Sequence, residues 1–77
     1  MTFKLLDSVV LTRDIPDDGL KCGDLGAVVE LYEPDGLEVE FVAASGRTRA
    51  VLSLRDSDVR PATDDDLIAV RALEPTG

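Results

Sequence analysis

The sequence predicts an all-β fold, and two of its patterns support this. Short runs rich in β-branched residues recur along the chain, separated by glycine, proline and aspartate, as strands joined by turns would be. Apolar and polar residues alternate within these runs, so each strand would bury one face and expose the other. A chain of 77 residues makes one small domain. A domain of this size buries only about 60% of the surface that it exposes when unfolded.

The first predicted strand runs from Ser8 to Thr12 and leads into a long connection. This connection, Arg13 to Asp24, is rich in aspartate and glycine and shows no helical period. We call it the long loop. Connections of this length are uncommon in small domains and often carry function.

Three further strands form a predicted meander. The strands and the two turns that join them are Ala27 to Glu33, the turn Pro34 to Gly36, Leu37 to Val42, the turn Ala43 to Gly46, and Arg47 to Ser53. In the first turn, proline presets φ and glycine supplies a left-handed position.

The lengths of the two turns predict a strand register. The first turn pairs Leu31 with Val39 and Val29 with Phe41, and the second pairs Val39 with Ala50. Both turns put apolar residues on the same face, and a slip of one residue would move that face into water. The meander is therefore well specified.

A short last strand completes the prediction. The segment Leu54 to Pro61 predicts a single 3-10 turn followed by a strand at Val59 and Arg60, which Pro61 ends. Five short strands with a long first loop and a one-turn helix before the last strand are typical of a small Src-homology-3-like barrel. Closure of the sheet removes its exposed edges. Residues 1–61 are assigned to this barrel.

Residues 62–77 form a C-terminal extension, in which the sequence predicts a short helix. Thr63 is placed as the N-cap with Asp66 three residues later, and acidic residues favour the positive end of the helix dipole. The predicted helix spans Asp64 to Ala72, and the chain is expected to fray after Glu74.

The charge balance limits the classes of partner. Sixteen acidic and eight basic residues leave a net charge of −8, so the average surface repels nucleic-acid phosphates and anionic lipids. No apolar run approaches the roughly 20 residues of a membrane span. With a single cysteine and an apolar start too short for a signal peptide, the expected location is cytoplasmic.

The residue types present argue against an autonomous enzyme. The chain has no histidine, which excludes Ser-His-Asp and Cys-His arrangements and zinc sites built on imidazole. Cys22 next to Lys21 could be a reactive thiol. It is better interpreted as a small residue packed at the end of the long loop, because thiolate catalysis recruits a base. We therefore predict no catalytic residue, no cofactor and no metal.

The order and spacing of four segments carry a resemblance to a known family. The segments are "LLDSVVLTRDIP", "GLKCGDLGAVVELY", "VEFVAASGRTRAVLSL" and "DVRP", which together span Leu5 to Pro61. Over this span the chain resembles the bacterial family of domains of unknown function numbered 4926. The resemblance implies a small Src-homology-3-like barrel with no established activity or cofactor, so no functional residues carry over.

The long loop supplies the first candidate binding residues, Asp14, Asp17 and Asp18. Carboxylates beside a ligand groove would attract arginine- or lysine-rich segments and speed their encounter. The alternative is that these aspartates only form turns.

The outer face of the predicted sheet supplies the second set. The predicted register places Glu30 beside Glu40, with Arg49 beyond, and Tyr32 beside Glu38. Paired glutamates could serve acid-base chemistry, but on an exposed face they are better interpreted as a solvated charge ladder.

The leading hypothesis is a non-enzymatic module that binds a protein partner with a basic surface through these acidic residues. Its size and charge also suit a regulator, or an antitoxin or immunity partner, of a neighbouring gene product. We expect a monomer or weak homo-oligomer. One alternative is a nucleic-acid-binding barrel using Arg47, Arg49, Arg55 and Arg60, and another is an accessory subunit of a metalloenzyme.

Overall fold

The computed structural model describes residues 3–73 and has the predicted all-β architecture. The five strands are β1 (Ser8–Leu11), β2 (Leu25–Tyr32), β3 (Gly36–Val42), β4 (Thr48–Arg55) and β5 (Val59–Pro61). They form one antiparallel sheet in the order β4-β3-β2-β1-β5, which is consistent with a small Src-homology-3-like barrel.

Two 3-10 turns lie between strands. One, Pro16–Asp18, lies in the long loop, and the other, Asp56–Asp58, comes directly before β5, where the sequence predicts it. In the second turn the carboxylate of Asp58 accepts the backbone N–H of Arg55 at 2.9 Å. The described residues contain no α-helix, and so none that could cross a membrane.

The core lies between the curled faces of the sheet. Its buried side chains are Phe3, Val9, Leu11, Leu20, Val28, Leu37, Val39, Phe41, Leu54 and Val59. Burial of each such side chain contributes about 1.5–3 kcal/mol, so this cluster supplies most of the drive to fold. Leu20 ties the long loop to the core.

The pairing of β2 with β3 differs from the predicted register by two residues. Leu31 pairs with Leu37 rather than with Val39, because the connecting turn covers residues 33–35 and Gly36 already pairs with Tyr32. Successive side chains alternate between faces, so between the turn and Glu30 a shift of two residues leaves the side chains of β2 on their predicted side.

The pairing of β3 with β4 is displaced in the same way. Val39 pairs with Leu52 rather than with Ala50, and Phe41 pairs with Ala50. The ladder is irregular between Phe41 and Val42. Phe41, Val39 and Ala50 therefore lie on the predicted face of the sheet, although their cross-strand partners differ from the prediction.

A bulge in β2 overturns one core assignment. The register shifts between Val28 and Glu30, so that Val28 pairs with Val39 and is fully buried, whereas Val29 is 37% exposed. The prediction that Val29 faces the core is wrong, because the extra residue of a bulge exchanges the faces of the residues that precede it.

Gly26 lies inside β2, opposite Val9. A Cβ on Gly26 would stand 2.6 Å from Val39 Cγ1 and 2.9 Å from Phe41 Cε1. These distances are shorter than any ordinary contact, so β2 approaches the side chains of β3 as closely as it does only because residue 26 is glycine.

The helix predicted for Asp64 to Ala72 does not form. Asp66 instead accepts the N–H of Thr63 at 2.8 Å and two N–H groups of Arg60, which closes a single turn. A helix this short needs a buried apolar face, and Leu67 is 93% exposed. We call residues 67–73 the C-terminal arm. The fraying predicted after Glu74 lies outside the described residues.

Candidate functional site

The long loop is folded back on itself. Ile15 and Leu20 form an isolated β-bridge around the 3-10 turn Pro16–Asp18. Gly19 ends that turn with φ of 70°, a left-handed conformation that favours glycine. The loop therefore presents its polar groups from a defined backbone.

The three loop aspartates have different surroundings. Asp14 accepts the backbone N–H of Cys22 at 2.8 Å and so links the two sides of the loop. Asp17 is exposed and Asp18 is half-buried, both within the 3-10 turn. Asp14 thus has a structural role in addition to its predicted binding role.

Cys22 is exposed near the end of the long loop, so the prediction that its side chain packs there is wrong. Within residues 3–73, no group of three or more cysteine, histidine, aspartate or glutamate side chains could hold a metal ion.

The carboxylate of Asp24 accepts three hydrogen bonds. It accepts the N–H of Lys21 at 2.8 Å and the Nε–H of Arg71 at 2.9 Å. Arg71 also donates to the carbonyl oxygen of Gly19 at 3.1 Å. Partial burial acts to raise the pKa of Asp24, but the hydrogen bonds from Arg71 and Lys21 outweigh it and the pKa is lowered.

The contact of Arg71 with the long loop was not predicted from the sequence. Arg71 lies within the predicted helix, whereas the arm carries it back to Asp24, which lies 47 residues earlier in the chain. No local pattern signals a contact of that separation.

An apolar groove lies beside Asp24. Its volume is about 400 Å³, and its walls include Leu20 and Leu25 on one side and Phe41 and Val42 at the end of β3. The arm contributes further lining side chains. The groove joins the long loop to the β3–β4 turn.

The glutamates of the sheet are arranged differently from the prediction. Glu30 lies directly opposite Glu38, whereas Glu40 lies opposite Ala27 on one side and Val51 on the other. The hydroxyl of Thr48 donates to Glu40 at 2.6 Å. The predicted pairing of Glu30 with Glu40 is therefore wrong, because the predicted register differs from the observed one by two residues.

Tyr32 lies opposite Gly36 rather than opposite Glu38 as the predicted register placed it, but its side chain still contacts the carboxylate of Glu38. Partial desolvation raises the pKa of Tyr32, and the negative charges of Glu38 and Glu30, together with a hydrogen bond to Glu38, raise it further. We call Glu30, Tyr32 and Glu38 the sheet cluster. Two carboxylates and a phenol on one exposed face can accept hydrogen bonds from several cationic donors.

The sheet cluster and the groove lie towards opposite ends of β3. Glu38 is near the β2–β3 turn, and Val42, which lines the groove, is four residues further along. At about 3.3 Å per residue the two positions are about 13 Å apart. The sheet cluster thus lies apart from the groove.

One comparison with known proteins identifies the family. The family described as Domain of unknown function (DUF4926) matches residues 5–61. The chain belongs to this family. No curated protein and no solved structure matches the chain significantly.

The matched part of this DUF4926 domain contains the whole sheet, the long loop and the sheet cluster. The arm with Arg71 follows the matched residues. The groove of this DUF4926 domain is therefore built by the family segment and completed by the extension.

Two further arginines of the DUF4926 domain are held by carboxylates. Arg13 pairs with Asp58 at 2.8 Å, and Arg60 pairs with Asp66 at 2.7 Å. Hydrogen bonds from these arginines lower the pKa of Asp58 and of Asp66.

Proposed function

We propose that the protein is a non-catalytic binding module that recognises a protein partner with a basic surface. The sheet cluster is the primary recognition surface in this proposal, and the long loop contributes the second acidic region. The partner is expected to supply the arginine or lysine side chains that pair with Glu30 and Glu38.

The observation that carries the proposal is the pairing of Glu30 with Glu38. Like charges directly opposite one another on neighbouring strands are destabilising. Within residues 3–73, none of the ion pairs involves either glutamate. An external cation would relieve their repulsion, so binding of a basic surface gains energy at this position.

A second candidate, nucleic-acid binding, has weaker support. Arg60 is already engaged by Asp66. Arg47 and Arg55 are eight residues apart along the chain, which is about 26 Å in an extended strand. The four arginines that this function requires would therefore have to act from separate places against a net charge of −8.

The proposal predicts that removing the charge of the sheet cluster weakens partner binding. The chain with Glu30→Gln and Glu38→Gln should bind its basic partner about ten-fold more weakly and with a smaller salt dependence, because two carboxylates no longer attract it. The measurement is capture of the partner from the native host with a tagged chain, followed by titration with the purified partner at two salt concentrations.

The matched control carries Asp64→Asn and Asp65→Asn. These exposed residues give the same change in net charge away from the sheet cluster. The proposal fails if both double variants lose the same affinity, or if the captured partner has no basic surface. A gel-shift assay at low salt that shows tight nucleic-acid binding would support the second candidate instead.

A further inference from the structure

The long loop holds the guanidinium of Arg71 in a matching set of acceptors. Nε donates to one oxygen of Asp24, and Nη2 donates to the other oxygen of the same carboxylate and to the carbonyl oxygen of Gly19. This two-pronged geometry fits the planar guanidinium and does not fit the ammonium of lysine. We call Asp24 and the Gly19 carbonyl the guanidinium receptor.

The guanidinium receptor adjoins the apolar groove. Asp24, Leu20 and Leu25 are all part of the groove wall, and Phe41 faces them from β3. Arg49 also lines the groove, and most of its other walls are apolar. A concave site with apolar walls and a carboxylate at its edge is typical of ligand recognition, because the walls give affinity and the charge fixes orientation.

The C-terminal arm occupies the receptor but fills the groove poorly. Ile68 and Val70 line the groove and are nevertheless 85% and 88% exposed. Side chains this exposed gain little from burial, and an ion pair at a partly exposed position adds little more. The arm can therefore be displaced by a segment that buries more apolar surface.

We propose that the guanidinium receptor binds an arginine of the partner protein. In the unbound chain Arg71, in the arm of residues 67–73, occupies the receptor instead. The recognised segment is extended, carries one arginine and inserts a neighbouring apolar side chain into the groove. This inference rests on the proposed function, for which it names the chemistry of the recognised segment. The net charge of −8 favours the approach of such a cationic segment.

Titration with a peptide tests this inference on the full chain. The probe is the synthetic peptide LIAVRAL, which has the sequence of residues 67–73. Binding is followed by NMR at the amides of the long loop. Arg71→Ala vacates the receptor, so the peptide should bind this variant with a Kd about five-fold lower than that of the unmodified chain.

Asp24→Asn should reduce peptide binding at least ten-fold in either background, since the amide cannot accept the charged two-pronged contact. Asparagine keeps an oxygen for the N–H of Lys21, and thermal melts confirm that the variant folds. A peptide with lysine in place of arginine should bind several-fold more weakly than LIAVRAL. Arg47→Ala is the matched control and should leave the affinity unchanged.

Three results would overturn the inference. They are equal peptide affinity of the Arg71→Ala and unmodified chains, undiminished binding by the Asp24→Asn chain, and a dimer of the unmodified chain that Asp24→Asn dissociates. The last would assign the receptor to the arm of a second copy. Failure of the proposed function has a separate signature, because the sheet-cluster variant would then retain partner affinity while the peptide results stand.

Discussion

At the scale of single residues, Gly26 decides how closely two strands approach. Its hydrogen atom faces Val39 and Phe41, where a methyl group would stand within 3 Å of both side chains. Both neighbours are buried and cannot move into solvent. The tight curl of β2 over β3 therefore depends on the absence of a side chain at one position.

We predict that Gly26→Ala lowers the free energy of unfolding by about 2–3 kcal/mol, because the added methyl group overpacks the core. In a domain of this size that is a fall in Tm of about 4–8 °C for each kcal/mol. Urea and thermal unfolding measure both quantities.

Gly46→Ala is the control for this prediction. Gly46 has φ of 90°, but a methyl group added there would have no neighbouring atom within 4 Å, so alanine carries only the conformational cost of about 1 kcal/mol. A Gly26→Ala chain as stable as the Gly46→Ala chain would contradict the packing explanation.

At the scale of elements, the bulge in β2 selects which of two adjacent valines enters the core. Val28 is fully buried against Val39, and Val29 remains partly exposed. The two residues have the same side chain and neighbouring positions, so they isolate the effect of burial from the effect of residue type.

Val28→Ala should lower the free energy of unfolding by about 2 kcal/mol, since two buried methyl groups are lost and a cavity remains. Val29→Ala should cost less than half as much. Urea unfolding of the two single variants provides the comparison. Equal losses would show that the bulge does not hold Val28 in the core.

The bulge also marks the limit of prediction from sequence. Alternation of apolar residues and turn chemistry are local signals, and they predict the five strands, the 3-10 turn before β5 and the inward faces of Leu37, Val39 and Phe41. A run of two valines gives no local reason to bury one rather than the other, so the register failed there. The predicted pairing of Glu30 with Glu40 is wrong for another reason, because the β2–β3 turn covers residues 33–35 instead of Pro34 to Gly36 and so displaces the register by two residues.

The prediction of a helix in the C-terminal extension is wrong for a different reason. Thr63 and Asp66 satisfy the local rule for a helix start, and the structure uses both in a turn. Arg60, on β5, captures the carboxylate of Asp66 with two hydrogen bonds. A tertiary contact thus overrides a local preference, and the same is true of Arg71 on Asp24.

At the scale of the whole molecule, three aspartates with lowered pKa values couple stability to pH. They are Asp24, Asp58 and Asp66, each bound to an arginine. A carboxylate with a lower pKa in the folded chain stabilises the fold above its unfolded pKa of about 4. That stabilisation is lost as the pH falls through the folded pKa.

We therefore expect the free energy of unfolding to fall between pH 6 and pH 3 by more in the unmodified chain than in a chain with Arg13→Gln and Arg60→Gln. In that variant Asp58 and Asp66 lose the partners that lower their pKa values. Urea unfolding at the two pH values gives the difference.

A chain with Arg47→Gln and Arg49→Gln is the control, because it has the same net charge and leaves the three ion pairs intact. Its loss of stability on acidification should match that of the unmodified chain. Equal losses in all three chains would show that the ion pairs do not set the acid sensitivity.

The two ends of the long loop are fastened to residues far along the chain. Arg13 holds Asp58, 45 residues later, and Asp24 holds Arg71, 47 residues later, while β1 pairs with β5. During synthesis, the hairpins of β2, β3 and β4 can therefore form before the loop has any of these contacts. The loop takes its final shape only when Asp58 and Arg71 have left the ribosome, so the guanidinium receptor matures after the sheet cluster.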